Sequence, residues 1–321
     1  MNVTTDTVHE TEHQVVVDAP AERVYAMIEE VGRWPEVFPP TVHAECLERD
    51  GEDELVRIWA TANGAAKTWT SRRRHDRERW TVSFRQERSQ HPVGGMGGAW
   101  VIEPISGSAC RVRLLHDFFA ASDDPDDLAW IRRAVDRNST SELAALKTAA
   151  ELAAADQRFS FDDTVPVTGS AAEVYDFLND ARRWPLRLPH VARVVLGEET
   201  PGLQVLEMDT RTKDGSVHTT CSVRVCEPHH GIVYKQVVLP ALLTLHVGRW
   251  LIEEQGPGRV LVTSRHTVRI NTARIAEVLG PKADLPAARE FVRSALGANS
   301  LTTLRAAKAY AESAGSGRVV P

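Results

Sequence analysis

The segment KTWTSRRRH at residues 67–75 sets Trp69, Ser71 and Arg73 at two-residue spacing. On a β-strand side chains alternate between faces, so these three share one face and Thr70, Arg72 and Arg74 take the other. With Trp69 facing inward, Arg73 is a cation aimed into apolar surroundings, while Arg72 and Arg74 are solvated. A guanidinium stays charged at any working pH and presents a planar fork of donors, so it is no base, but it can hold a carbonyl or a developing negative charge. Ser71 beside it can position an oxygen or a water. The competing interpretation is structural: an inward arginine is often paired with a buried carboxylate, and a strand serine is easily satisfied locally. His116 is the third group able to move charge, because imidazole titrates near neutral pH.

The elements that must hold these residues are legible from a repeat. Shifted by 150 residues, AERVYAMIEEVGRWPEVFPP (21–40) lies over AAEVYDFLNDARRWPLRLPH (171–190), with Val24/Val174, Tyr25/Tyr175, Arg33/Arg183, Trp34/Trp184 and Pro35/Pro185 identical. The same offset matches Gln86/Gln236, Gly98/Gly248, Trp100/Trp250, Ile102/Ile252, Glu103/Glu253 and His116/His266. One offset holding over so long a span indicates a duplicated domain, with expected bounds 1–155 and 156–321. The recurrence of histidine at 116 and 266 also fits a shared structural hydrogen bond.

Each copy reads as a strand (13–17), a helix with Asp18 as N-cap and Pro20 just inside, a stop at Trp34-Pro35, alternating short segments over 41–118, and a long helix over 126–154. Trp130, Ala134, Leu143, Leu146 and Ala150 form that helix's apolar stripe. The second copy carries an excess of 11 residues around 271–289 and ends in a tail, AGSGRVVP, expected to be disordered. This is an α+β arrangement: a curved antiparallel sheet with one long helix to cover it closes poorly, so a cavity between them is expected.

Composition removes other classes. With 321 residues and a formal charge of −6, the chain repels a phosphate backbone, and no nucleic-acid partner is expected. The first residues lack an apolar run, and the longest apolar stretch, VVLPALLTL (237–245), is short and interrupted by proline, so a soluble, cytoplasmic protein without membrane contact is expected. Cys46, Cys110, Cys221 and Cys226 have no framework spacing; Cys221 and Cys226, five apart on a strand, point to opposite faces, and no metal site is expected. HPVGGMGGAW (91–100) lacks phosphate-loop spacing and reads as a flexible hairpin loop at the cavity mouth.

Trp34-Pro35, Trp69-Thr-Ser71-Arg-Arg73 and Gly98-Ala-Trp100 within a duplicated domain resemble the two-domain aromatase/cyclases of bacterial type II polyketide synthases. These belong to the START-like, Bet v 1-like (SRPBCC) superfamily. The resemblance implies two tandem helix-grip domains, each a curved sheet wrapped around its C-terminal helix. It implies an enzyme that needs no cofactor and folds a poly-β-ketone delivered by an acyl carrier protein, alongside other synthase subunits. The first ring closes by aldol reaction between carbons 7 and 12 and aromatises by loss of water. In that setting Arg73, Ser71 and His116 are the expected catalytic groups, His116 as a proton shuttle during dehydration. Trp34, Trp69 and Trp100 are walls; Trp184, Cys221, Trp250 and His266 are the corresponding contacts in the second copy. At offset 150, Trp69, Ser71 and Arg73 fall on Thr219, Cys221 and Val223, and His218, Arg211 and Arg224 lie outside the aligned places. Only the first domain matches the reactive pattern; the second is expected to support the fold and carrier docking, with a second reaction on a later intermediate as the alternative. Arg72, Arg74, Arg77 and Arg79 are expected docking groups for an acidic carrier. The alternative function is a non-catalytic binding protein or chaperone for a hydrophobic or aromatic ligand, which would not need a charged Arg73 beside Ser71.

Overall fold

A computed structural model describes residues 7–151, 157–211 and 215–314. The chain divides into two compact units, Met1–Ala153 and Ala154–Pro321. The expected boundary between residues 155 and 156 and the expected disordered tail after residue 314 lie outside the described residues.

In the first unit β1 (His9–Val17) leads to α1 (Ala21–Glu29), a 3-10 turn (Val31–Arg33) and α2 (Trp34–Val37). The strands β2 (Thr41–Asp50), β3 (Asp53–Ala62), β4 (Ala65–Asp76), β5 (Thr81–Arg88), β6 (Val93–Ser106) and β7 (Ala109–Ala120) follow, then α3 (Pro125–Glu151). Every strand pairing is antiparallel, and the sheet order is β1-β7-β6-β5-β4-β3-β2.

The second unit repeats this with β8 (Arg158–Thr168), α4 (Ala171–Asn179), α5 (Trp184–Arg187), β9 (Val191–Thr200), β10 (Leu203–Arg211), β11 (Val217–Glu227), β12 (Gly231–Val238), β13 (Leu243–Gly256) and β14 (Arg259–Ile270). Its sheet order, β8-β14-β13-β12-β11-β10-β9, is the same. The 11 extra residues supply a 3-10 turn and α6 (Ile275–Leu279) ahead of α7 (Leu285–Ala314).

The long helix is the grip in each unit. On α3 Ile131, Ala134, Val135, Leu143, Leu146 and Ala150 are buried at three- and four-residue spacing, the stripe of an amphipathic helix. Two polar clamps tie it to β1: Lys147 Nζ donates to Val16 O at 2.7 Å, and the Asp18 N–H donates to Glu151 Oε1 at 2.8 Å. Lys308 to Pro166 O (2.6 Å) and Thr168 N–H to Glu312 Oε1 (3.0 Å) repeat them on α7.

Three local expectations are corrected. Asp18 is not a cap; Pro20 occupies the N-cap of α1 and, having no polar side-chain atom, makes no side-chain cap bond, while the Asp18 main-chain N–H donates to Glu151. The second unit does carry a capping box, Ser170 with Glu173. Trp34-Pro35 does not end α1 but opens α2, where a proline in the first turn costs no hydrogen bond. The glycines of HPVGGMGGAW lie within strand β6, not in a hairpin loop. They are small because rings and long side chains lie across them: a side chain at Gly94 or Gly95 would collide with the ring of Phe119.

The repeat does not keep one offset throughout. In β4, Ser71 pairs with Gln86 and Arg73 with Phe84; in β11, Ser222 pairs with Gln236 and Arg224 with Tyr234. A register shift falls between Thr70 and Ser71 in one and between Cys221 and Ser222 in the other. On this strand the offset is therefore 151, and Ser71 and Arg73 correspond to Ser222 and Arg224, not to Cys221 and Val223. Four residues (77–80) separate β4 from β5 but only three (228–230) separate β11 from β12, so the phase returns to 150 at once. The second domain has lost neither the serine nor the cation.

Candidate active site

Strand alternation buries Arg73 (1 % exposed) and Ser71 and leaves Arg72 and Arg74 exposed. Arg73 Nη2 donates to Ile28 O at 2.6 Å, and its guanidinium lies 4.8 Å from the ring centroid of Trp34. Trp34 donates its indole N–H to the same carbonyl at 3.1 Å. Arg73 Nη1 donates to Glu54 Oε1 at 2.6 Å, and Glu54 also contacts His75 Nε2 at 3.0 Å and accepts from Arg49 Nη2 at 2.6 Å. Burial alone would raise the Glu54 carboxyl, but the hydrogen bonds from His75 and Arg49 and the charge on Arg73 hold it down at about 2. Burial pulls Arg73 down to about 10, so it remains charged. The Ser71 hydroxyl is buried beside this cluster without a hydrogen-bond partner.

Between the sheet and α3 lies a cavity of about 140 Å³. Trp34, Trp69 and Trp130 are its flat walls. Lys67, Gln86, Asn138, Ser139 and His116 are among its polar groups, and Ile58, Met96 and Ile131 among its apolar ones. Of the residues singled out in the first-domain sequence, the cavity gathers Trp34, Trp69 and His116. Arg73 and Ser71 are not part of its lining; Arg73 reaches it only through the indole of Trp34. Trp100 is core, stacked on Phe38 at 5.6 Å.

Two buried polar atoms of the lining have no partner, His116 Nδ1 and Ser139 Oγ. Burial, with a smaller contribution from His13, lowers His116 to about 4, so the ring is neutral and free to accept a proton. Lys67 Nζ is held by His91 O at 3.1 Å and lies 5.7 Å from the Trp130 ring centroid.

In the second domain Trp184 stands where Trp34 does: Arg224 Nη2 donates to Leu178 O at 2.6 Å, and its guanidinium lies 5.3 Å from the Trp184 centroid. Gln204 replaces Glu54 and Cys226 replaces His75, so among the described residues no carboxylate is in contact with Arg224 and its Nη1 has no partner. Trp250 is core, and His266 is buried. Cys221 points to the face opposite Ser222 and Arg224, which removes the reason for placing it at the site. Nothing in the sequence marked Glu54, Lys67 or Ser139, and Arg224 was set aside as lying outside the aligned place. Only Arg224 left a usable trace, an arginine one residue out of phase.

Residues 8–151 and 158–312 each match the family described as Polyketide cyclase / dehydrase and lipid transport. The chain is 48 % identical over 300 residues (92 % of this chain, 97 % of the relative) to the granaticin polyketide synthase bifunctional cyclase/dehydratase of Streptomyces virginiae. It is 44 % identical over 315 residues (94 % and 97 %) to the actinorhodin polyketide synthase bifunctional cyclase/dehydratase of Streptomyces coelicolor. Among solved structures, the di-domain ARO/CYC BexL from the BE-7585A biosynthetic pathway is similar at 56 % identity and a TM-score of 0.84, covering 95 % of this chain and 99 % of that one. The di-domain ARO/CYC StfQ from the steffimycin pathway is similar at 33 % identity and a TM-score of 0.83, with the same coverage. Two helix-grip units in tandem, a family match across both of them, and relatives of matching length named as cyclase/dehydratases lead to one conclusion: the chain belongs to the polyketide cyclase/dehydrase family, as an enzyme of the two-domain aromatase/cyclase type found in bacterial type II polyketide synthases.

Proposed function

We propose that this protein directs the first-ring aldol cyclisation, between carbons 7 and 12, and the dehydration of a poly-β-ketone carried by an acyl carrier protein. The observation that supports this reading is the first-domain cavity: flat tryptophan walls around a neutral histidine whose Nδ1 has no partner. A methylene between two carbonyls is already acidic, so the site needs shape, a proton acceptor of moderate strength and donors for oxygen. His116 takes the methylene proton; the carbanion's electron pair forms the new carbon–carbon bond at the facing carbonyl carbon as the carbonyl π bond breaks, and the resulting alkoxide receives that proton back from His116. Lys67 and Ser139 donate to the carbonyl oxygens. Arg73 holds Trp34 in place, and Ser71 offers an unpaired hydroxyl to the inner wall.

An acidic carrier reaches this domain at Arg72, Arg74, Arg77 and Arg79. Each already contacts a carboxylate, Arg72 with Glu87 at 2.6 Å and Arg79 with Asp76 at 3.0 Å, and carrier carboxylates would exchange with these surface partners.

The test is product analysis of a reconstituted minimal polyketide synthase with wild type, His116→Phe and Trp69→Ala. Wild type is expected to give one cyclised aromatic product and the folded variants the mixture formed spontaneously. A wild-type distribution from both variants would remove the first-domain cavity from the reaction.

A further inference from the structure

A single row of residues crosses the sheet in each domain. In the first it is Arg73, Phe84, Gly98 and His116, each the cross-strand partner of the next. In the second it is Arg224, Tyr234, Gly248 and His266. The glycine is required because the aromatic ring lies over it: a side chain at Gly248 would collide with the ring of Tyr234. The rows differ by one oxygen atom, the hydroxyl of Tyr234.

That oxygen joins a network absent from the first domain. Tyr234 Oη lies 3.4 Å from His266 Nδ1, and His246 Nε2 lies 2.9 Å from the same nitrogen. His266 Nε2 lies 2.6 Å from Ser300 Oγ and 3.1 Å from Ser264 Oγ. By the repeat, His246 occupies the place of Met96, His266 that of His116, and Ser300 that of Ser139 on the long helix. All three first-domain counterparts line the cavity. The second domain has thus replaced cavity-lining positions with a connected acid–base group. Two of its buried polar atoms have no partner, His246 Nδ1 and, at the far end of the row, Arg224 Nη1.

We propose that the second domain is the dehydration site, with His246 as the base, Tyr234 as the acid and Arg224 as the oxyanion donor, acting on the cyclic β-hydroxy ketone formed by ring closure. This rests on the cyclase reading above. His246 Nδ1 takes the proton α to the ketone while Arg224 Nη1 holds the ketone oxygen. The released electron pair forms the carbon–carbon double bond as the carbon–oxygen bond breaks. The hydroxyl leaves with the Tyr234 proton as one water. The departing water relays the proton from His246 Nδ1 to the tyrosine oxygen, which restores both groups while Nε2 stays hydrogen-bonded to His266 Nδ1, so no oxidant or reductant is consumed. Burial keeps both imidazoles neutral, lowering His266 to about 4 and His246 well below its ordinary value, and it raises the Tyr234 hydroxyl so that it stays protonated.

The first domain supplies variants suited to the test, since Phe84 and Met96 show that the fold accepts those residues. Tyr234→Phe and His246→Met are made in the full chain and assayed with the minimal synthase, and the cyclised product is resolved by mass into dehydrated and hydrated forms. The expected result is a rise of at least about 10-fold in the hydrated fraction for both variants, the scale of losing one general acid or base. His246→Met is also expected to flatten the pH dependence of the dehydration rate, which a packing role would leave unchanged. A wild-type ratio in either folded variant overturns the assignment while leaving the cyclase reading intact. Failure of the wild-type protein to cyclise at all would remove both.

Discussion

Arg73 and Arg224 occupy one structural position in two domains, each donating Nη2 to a main-chain carbonyl at 2.6 Å beside a tryptophan, but only Arg73 meets a carboxylate. Glu54 neutralises the first cation. Gln204, in the same place, gives its Nε2 to Asn179 Oδ1 and Glu198 Oε2 and leaves the second cation unneutralised. A buried charge without a counterion in contact is costly, and an anion formed beside Arg224 in the proposed dehydration would offset that cost.

The Glu54→Gln substitution copies the second domain into the first. It is expected to destabilise the chain by about 3 kcal/mol, the scale of breaking a buried ion pair from one side. Urea unfolding followed by tryptophan fluorescence measures it; an unchanged midpoint would show that Arg73 needs no carboxylate.

Acid should weaken the fold in two steps. His116 and His266 are held at about 4 against an ordinary 6.5, so the unfolded chain takes up protons first as pH falls. Their contribution is intact above about 6.5 and is lost towards 4. Glu54, held at about 2 against 4.5, adds stability that is complete above about 4.5 and is lost as the pH falls towards 2. Thermal midpoints between pH 7 and 3 are expected to fall throughout, and His116→Phe should flatten the upper part.

Gly248→Ala places a methyl group against the Tyr234 ring. Overpacking of this kind costs about 1–3 kcal/mol, and relief by rotation of the ring would draw its hydroxyl away from His266. The combination expected is a lower thermal midpoint together with more hydrated product; Gly248→Ala in a Tyr234→Phe background should add no further hydrated product.

Reversing charge at the surface arginines separates docking from chemistry. Arg72→Glu with Arg74→Glu is expected to raise KM for the carrier-bound chain by about 10-fold at low salt and leave kcat and the thermal midpoint unchanged, with the difference shrinking as salt is added. Unchanged KM would move carrier docking elsewhere.

The sequence carried the duplication, the succession of elements and the inward face of β4 because these depend on local alternation and on one constant offset. It misassigned the second domain because two length changes cancel. One residue is gained ahead of β11 and one is lost in the turn after it, so identities on both sides stay in phase while the strand between them slips. A slip of one residue on a strand exchanges the two faces, which is how Cys221 and Val223 came to stand in for Ser222 and Arg224. Glu54 went unseen for a different reason: a buried carboxylate is recognised by what it touches, and Arg73, His75 and Arg49 converge on it only once β2, β3 and β4 are paired. The glycines of β6 looked like a loop because their cause, aromatic rings from neighbouring strands, is likewise non-local.

The shared row across the two sheets makes the halves of this protein chemical homologues that can be edited into one another. Phe84→Tyr, Met96→His and Glu54→Gln would write the second domain's side chains into the first, and the reverse changes would erase them. A duplication that preserves its scaffold so closely lets a handful of side chains set the difference between its two halves, and those few positions are the natural ones at which to redesign which products leave the enzyme.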